Sequence, residues 1–250
     1  MKIAYCLYGQ PRNHLEGFKN ISNFVNTHTN IEFDFYYHAW YSKPTEKKIY
    51  YDASHRGKAN KNNLLQVSNI IEILNNLYHP VDYHYEDSQT FDYSKYKNTI
   101  AYYNCQDKKV IKSISNVLSQ LYSRNQVRNL LYNQNKKYDC IITSRFDFLN
   151  PISINLHKID LSKTYVSDLH YPRKIFPDNF MILSQNDYLD LFNIFDNLNN
   201  IVDNDFLNVK MIVNNEKLYL NTEEIILANY YNYHDDTSNV VYTSLIPDFY

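Results

Sequence analysis

The stretch YDCIITSRFD, residues 138–147, decides the fold prediction for this chain. Its apolar core, Cys140 to Thr143, is bounded by polar residues, which is typical of a central strand in an α/β sheet. Ligands of open α/β sheets lie at the carboxyl ends of the strands. Arg145 and Asp147 are therefore predicted to lie at a site, where a guanidinium can clamp a phosphate and a carboxylate can hold a divalent cation. The alternative is a surface ion pair that closes the strand.

Strands and helices alternate on the amino-terminal side of this stretch. The spacing of apolar residues predicts, in chain order, a strand, a helix, a strand, a helix, a strand and a long helix, at 3–7, 15–25, 33–38, 64–77, 81–85 and 110–130. Two polar segments are expected to be surface loops, at 41–61 and 87–104. This alternation predicts an α/β fold with a mostly parallel central sheet flanked by helices.

The carboxy-terminal part of the chain has a more mixed pattern. Short strands and one helical face are predicted there, at 164–167, 180–183, 240–243 and 188–198. Another helix is expected to open at Asn221, with Glu224 as the partner in a capping box. Because the sequence contains no internal repeat and no clear linker, we expect a single domain over residues 1–250.

Charge and cysteine content narrow the class of protein. The 250 residues include 25 basic and 27 acidic side chains, which argues against a nucleic-acid-binding surface built on bulk charge. The first residues do not form a convincing signal peptide. No window approaches ~20 apolar residues, so no membrane span is expected. The three cysteines, Cys6, Cys105 and Cys140, share no metal-ligand spacing, and their odd number suggests a reducing, cytoplasmic location.

Two further strand ends carry candidate ligand-binding residues. Gly9, Gln10 and Arg12 lie between the first strand and the first helix, where phosphate-binding turns occur, although the further glycines of a dinucleotide fingerprint are missing. A tight turn with a solvated arginine is the alternative. His38 and Trp40 follow the second strand, where a flat aromatic ring can stack on a base or a sugar. The alternative there is a core aromatic residue beside a satisfied histidine.

Two carboxylates are candidates for a general base. Asp178 precedes the short strand at 180–183 and would approach an acceptor hydroxyl. The alternative is that Asp178 is a turn residue, because it stands between a proline and an asparagine, which favour turns. Glu223 lies in the first turn of the helix that opens at Asn221, where an acidic residue also suits the helix dipole.

The order of these short motifs resembles that of a known family. Five motifs follow one another along the chain: Gly-Gln-Pro-Arg at 9–12, His-x-Trp at 38–40, Ser-Gln-x-Tyr at 119–122, Tyr-Asp-x-x-Ile-x-x-Arg-x-Asp at 138–147 and Asp-x-Phe at 178–180. The order is similar to that of a GT-A-like glycosyltransferase family of polysaccharide gene clusters and large DNA viruses, over most of the chain. The resemblance implies a single GT-A-like, Rossmann-like domain, in which 1–147 is the nucleotide-binding half and 148–250 the acceptor-binding half.

The resemblance also implies a metal site, from which this chain departs at one position. In GT-A enzymes an Asp-x-Asp at a strand end holds a divalent metal on the donor diphosphate, whereas this chain has Arg145, Phe146 and Asp147. Asp147 would then be the ligand for Mn²⁺ or Mg²⁺, and Arg145 would neutralise phosphate directly. Some GT-A enzymes use a late histidine as a further metal ligand, for which His234 is the candidate.

The function implied by the resemblance is transfer of a sugar from a nucleotide-diphosphate sugar to a hydroxyl of a glycan acceptor. Arg12, Arg145 and a metal at Asp147 would stabilise the leaving diphosphate, and Asp178 or Glu223 would act as the base. Two alternatives are a non-catalytic nucleotide- or glycan-binding module on the same fold and another nucleotide-dependent transferase, such as a phosphotransferase. The sequence leaves the donor, the acceptor, the stereochemistry and the oligomeric state open.

Overall fold

A computed structural model gives the fold, and its elements are numbered in chain order. The described residues are 1–41, 51–54, 58–64, 69–106, 114–168, 176–177, 179–214 and 216–243. Within these ranges the strands are β1 (Lys2–Gly9), β2 (Glu32–Trp40), β3 (Tyr51–Ser54), β4 (Lys58–Leu64), β5 (Asp82–Glu86), β6 (Cys140–Arg145), β7 (Thr164–Ser167), β8 (Phe180–Leu183) and β9 (Val240–Thr243). The helices are α1 (His14–Asn26), α2 (Ile70–Tyr78), α3 (Ile100–Gln106), α4 (Ile114–Asn133), α5 (Gln185–Leu191), α6 (Leu198–Val202), α7 (Asp205–Val213) and α8 (Thr222–Tyr233).

Seven of the described strands form one sheet in the order β5-β2-β1-β6-β8-β7-β9. The first four strands in this order are mutually parallel, β9 is parallel to β7, and β8 runs antiparallel to both of its neighbours. The predicted α/β fold with a mostly parallel, helix-flanked sheet is therefore confirmed. Strands from both halves of the chain join this sheet, while β3 and β4 pair separately as an antiparallel ribbon.

β1 lies within the sheet and is buried on both faces. Its residues alternate between two cores: Ala4 and Cys6 belong to the core on the α4 side, whereas Tyr5 and Leu7 belong to the core that includes residues of α1 and α2. A strand covered on both faces needs a continuous apolar run, which explains why the alternation of polar and apolar residues is absent here. A fully buried leucine such as Leu7 contributes about 1.5–3 kcal/mol.

A glycine sets the distance between α1 and the end of β6. Gly17 lies in the first half of α1, and a Cβ atom built on it would overlap the carbonyl oxygen of Phe146 and approach the carbonyl carbon to 3.0 Å. Only a residue without a side chain allows the helix backbone to lie this close to the main chain after β6. The close packing holds the segment that carries Asp147 against the helix that follows β1.

The hydroxyls of two buried tyrosines, Tyr36 and Tyr138, are satisfied by a hydrogen-bond network at the amino end of the sheet. The Tyr36 hydroxyl lies 2.7 Å from that of Tyr138, which donates to Asp34 Oδ2 at 2.7 Å. Lys2 and Lys136 lie 3.3 Å from the same carboxylate oxygen. Burial alone would raise the pKa of Asp34, but the hydrogen bonds from Tyr138, Lys136 and Lys2 outweigh it and lower the pKa. A tyrosine-rich core is stable where each hydroxyl finds such a partner.

Several predicted boundaries differ from the structure. The loop predicted at 41–61 includes β3 and part of β4, and the helix predicted from residue 64 begins at Ile70. The loop predicted at 87–104 ends inside α3, and the helical face at 188–198 divides between α5 and α6. The helix α8 does begin after Asn221, but the Asn221 half of the predicted capping box is wrong, because the Asn221 side chain makes no cap hydrogen bond within the described part of the chain. Among the described helices, none has the length and hydrophobicity needed to cross a bilayer.

Candidate functional site

The crossover point of the sheet lies between β1 and β6. From β1 the chain continues to β2 and then β5 on one side, and only later adds β6 on the other side. Where the strand order reverses in this way, a crevice opens at the carboxyl ends of the two strands, and open α/β sheets bind their ligands there. The carboxyl end of β1 leads into the turn Gly9–Asn13, and that of β6 leads to Asp147.

The turn after β1 has the backbone of a ligand-binding corner. Gly9 has a φ of 98° and Asn13 a φ of 43°, both in the left-handed region. The Asn13 side chain makes no cap hydrogen bond among the described residues, so the first amides of the 13-residue helix α1 are not satisfied by it. Gln10 and Arg12 are half-buried in the same turn. Together these features resemble an anion-binding helix start.

Arg145 and Asp147 form a two-pronged ion pair at the end of β6. Arg145 Nε donates to Asp147 Oδ1 at 2.7 Å, and the terminal nitrogen Nη2 donates to Oδ2 at 2.8 Å. The Asp147 side chain is only 15% exposed. Because both carboxylate oxygens accept bonds from the guanidinium, Asp147 is a poor fit for the predicted Mn²⁺ or Mg²⁺ ligand. The surface-pair alternative from the sequence describes this geometry better, although the pair is partly buried.

One row of side chains crosses the carboxyl edge of four strands. The strand register pairs His84 with His38, His38 with Tyr8, and Tyr8 with Arg145. Residues paired in this way project from the same face of a sheet, which here is the face covered by α4. We call these four residues the polar row. His38 and Arg145 are separated by two strand spacings, roughly 10 Å.

A chain of hydrogen bonds connects the turn after β1 to β5. The Gly9 amide donates to Ser123 Oγ at 2.9 Å, and Ser123 Oγ lies 2.7 Å from His38 Nδ1. His38 Nε2 lies 3.0 Å from Glu86 Oε1. Burial lowers the pKa of His38, and the hydrogen bond from His38 lowers the pKa of Glu86. A neutral imidazole next to an ionised carboxylate therefore describes this pair at neutral pH.

His38 and Trp40 are occupied by protein contacts. Trp40 is 4% exposed and stacks on Tyr122, with ring centroids 5.4 Å apart. Its indole Nε1 donates to the carbonyl of Ser119 on α4. His38 is fully buried beside it. Both residues therefore lie beneath the carboxyl edge and support it, instead of presenting a free ring to a base or sugar, because α4 covers that face of β2.

His234 lies at the opposite edge of the sheet from Asp147. Its Nε2 is 3.3 Å from Oδ1 of Asp187, and its ring stacks on Tyr230. Asp187 belongs to α5, which follows β8. Because β8 is antiparallel to β6, α5 begins at the amino end of β6. Gln185 of α5 confirms this placement, since its side chain accepts a hydrogen bond from the Tyr138 amide just before β6. The structure therefore does not bring His234 and Asp147, the two predicted metal ligands, together, because the length of β6 separates them.

Of the two candidate bases, Glu223 lies within the described residues and Asp178 does not. Glu223 is half-buried in the first turn of α8, and the preceding Thr222 donates to Gln120 on α4 at 3.0 Å. Ser119 and Ser123, one residue before and one turn after Gln120, contact Trp40 and His38, so α8 begins toward the carboxyl edge.

Two residues that the structure brings to this edge, His84 and Glu86, were not among the candidates predicted from the sequence. With His38 they form a possible metal-binding group whose ligand atoms lie within 4.8 Å of one another. The signal was present, because His84 and Glu86 alternate on one face at the end of a strand, as His38 and Trp40 do. The prediction ended β5 at residue 85, one residue before the carboxylate.

A groove of about 750 Å³ lies elsewhere, at the amino end of β6. Lys136, Tyr138 and Gln185 line it, together with the end of α4. The polar row does not contribute to its described lining. In an open α/β sheet the carboxyl edge is the ligand-binding edge, so we place the candidate site there and not in this groove.

Comparisons with known proteins give no independent assignment. No protein-family model matches this chain, and no curated protein matches it. The features of the chain that point to a function are therefore the crossover point, the polar row and the motifs themselves.

Proposed function

We propose that this chain is a GT-A-like glycosyltransferase, with a nucleotide-diphosphate sugar as donor and a glycan hydroxyl as acceptor. The observation that carries the proposal is that Arg145 pairs with Tyr8 at the crossover point between β1 and β6, directly before the turn with Gly9 and Arg12. Open α/β sheets bind nucleotides at this point. A left-handed glycine turn, a helix start and a guanidinium are all groups that suit a diphosphate.

The proposed reaction needs charge stabilisation and a base. The bond between the anomeric carbon and the diphosphate oxygen breaks, and the acceptor oxygen forms the new bond to that carbon. Arg12 and Arg145 stabilise the negative charge on the departing nucleoside diphosphate, which is often the largest contribution in such reactions. The acceptor hydroxyl gives its proton to a carboxylate, for which Glu223 and Asp178 are the candidates. Asp147 is a positioning residue that holds the Arg145 guanidinium.

A second candidate function is a nucleotide- or glycan-binding module without catalysis. The Arg145–Asp147 pair favours it, because both oxygens of that carboxylate are engaged by the guanidinium. Transfer and binding are separated by turnover: an enzyme releases the nucleoside diphosphate with time, whereas a module binds the donor and leaves it intact.

A panel of nucleotide-diphosphate sugars in a thermal-shift assay tests the proposal. A donor at about a hundred times its dissociation constant adds about 2.7 kcal/mol to the free energy of unfolding. Arg145→Ala is expected to weaken donor binding by roughly ten- to a hundredfold, since a hydrogen bond to a charged group contributes about 1.5–3 kcal/mol. Arg128→Ala is the matched control, because Arg128 donates to the Leu189 carbonyl of α5, far from the crossover point. Absence of any shift across the panel contradicts the proposal.

A further inference from the structure

Three ligand atoms converge at the carboxyl ends of β2 and β5. Glu86 Oε1 is 3.0 Å from His38 Nε2 and 3.9 Å from His84 Nε2, and all three atoms lie within 4.8 Å of one another. A tetrahedral zinc ion with bond lengths of about 2.0–2.2 Å holds its ligand atoms roughly 3.3–3.5 Å apart. Only small side-chain adjustments separate the observed positions from that geometry, and His84, which is 52% exposed, is able to make them.

We propose that His38, His84 and Glu86 bind a divalent transition-metal ion of the zinc class. Two imidazoles and one carboxylate are the ligand set of a catalytic or regulatory zinc site that keeps a fourth position for water or another ligand. The half-exposed His84 leaves that position accessible from solvent. This site is separate from the Asp147 position of the sequence prediction and does not depend on the proposed transferase activity.

The residues around the three ligands already lie where a metal site needs its hydrogen-bond partners. With a metal bound to Nε2, the His38 proton moves from Nε2, which faces Glu86 in the metal-free pair, to Nδ1, which lies 2.7 Å from Ser123 Oγ and then donates to the hydroxyl. Glu86 Oε2 accepts from Gln89 at 2.6 Å, which leaves Oε1 directed at the two histidines. Partners of this kind fix the orientation and the tautomer of metal ligands. Two elements in the sheet and one helix therefore hold the group in position.

The ligand chemistry selects the class of metal. Imidazole nitrogen suits Zn²⁺, Co²⁺ and Ni²⁺, whereas Mg²⁺ and Ca²⁺ prefer sites made entirely of oxygen ligands. A two-histidine, one-carboxylate group therefore discriminates against the abundant hard cations. The alternative is that the His38–Glu86 hydrogen bond alone satisfies the buried imidazole and that no metal binds. That alternative predicts no preference for Zn²⁺ over Mg²⁺ or Ca²⁺. Metal selectivity separates the two explanations.

The experiment is a calorimetric titration of the chelator-treated, tag-free chain with Zn²⁺, repeated with Mg²⁺ and followed by optical spectra of the Co²⁺ complex. The wild-type chain is expected to bind one Zn²⁺, with Mg²⁺ far weaker, and to give the visible absorption of tetrahedral Co²⁺. His84→Ala and Glu86→Gln are expected to weaken Zn²⁺ binding by at least the roughly ten- to a hundredfold that loss of an outer-sphere partner costs. His157→Ala, which removes another exposed histidine, is the matched control.

The titrations of the wild-type and substituted chains decide whether the metal site exists. One tight Zn²⁺ that is lost in His84→Ala and retained in His157→Ala supports the site. Zn²⁺ binding of equal affinity in His84→Ala and wild type overturns it, as does absence of Zn²⁺ binding to the folded wild-type chain. His84 is half-exposed, so its substitution preserves the fold even if Glu86→Gln does not. Because no nucleotide is used, failure here leaves the transferase proposal standing, and failure of donor binding leaves this one standing.

Discussion

Replacing Gly17 with alanine tests the close packing of α1 against the end of β6. In an exposed helix this substitution is favourable by about 1 kcal/mol, because glycine loses more backbone freedom than alanine when the helix forms. Here the new Cβ would overlap the carbonyl oxygen of Phe146, which belongs to the main chain and cannot rotate away. The helix or the segment that carries Asp147 must therefore move.

The two effects have opposite signs, and the overlap is the larger. Overpacking in a close-packed interior costs typically 1–3 kcal/mol, and a main-chain neighbour places this case at the upper end. Subtracting the gain in helix propensity leaves a net loss of about 2 kcal/mol in the free energy of unfolding. For a chain of this size that corresponds to a melting temperature lower by roughly 4–8 °C.

Urea unfolding and calorimetry measure this change against a control on the same helix. Asn23 is exposed in α1, so Asn23→Ala is expected to raise stability by up to about 0.7 kcal/mol through helix propensity alone. Gly17→Ala should change stability in the opposite direction. A Gly17→Ala chain as stable as wild type, or more stable, would refute the argument that this glycine is required by backbone packing.

Three further outcomes follow from other contacts. Ser123→Ala leaves the Gly9 amide and a buried nitrogen of His38 without their shared partner, which should cost about 1–3 kcal/mol in urea unfolding. The pKa of Asp34 is lower in the folded chain than the unfolded value of 3.8, so its contribution to stability is present above pH 3.8 and is lost as the pH falls through the folded pKa. In acid unfolding, Asp34→Asn should lack this part of the loss of stability. The three cysteines are buried, and burial raises the pKa of Cys6 to about 12, so a thiol reagent should label them only after unfolding.

The sequence predicted the parts of the fold that depend on continuous hydrophobic runs. β1 and β6 are buried on both faces, so their apolar stretches end close to the strand ends, and the residues beyond them lie at the crossover point. Strand pairing could not be predicted in this way. The opposition of His38 to His84 depends on register between strands more than forty residues apart, which no local pattern encodes.

Other elements were missed because their sequences lack a clear apolar face. α7 exposes Phe206, Val209 and Val213 while it buries Leu207 and Met211, so apolar residues surround the helix and their periodicity is lost. The Arg145–Asp147 pair illustrates a related limit. The sequence places both residues at a strand end, but the geometry of the side chains determines whether a carboxylate faces a metal or a guanidinium.

The packing of Trp40 gives this protein a built-in optical reporter. It is the single tryptophan among 26 tyrosines, so excitation at the red edge of protein absorption addresses one ring in the whole chain. That ring lies 4.9 Å from the imidazole of His38, centroid to centroid, and stacks on Tyr122. Its emission therefore senses quenching, polarity and motion at the carboxyl end of β2 and nowhere else, without a label or a substitution.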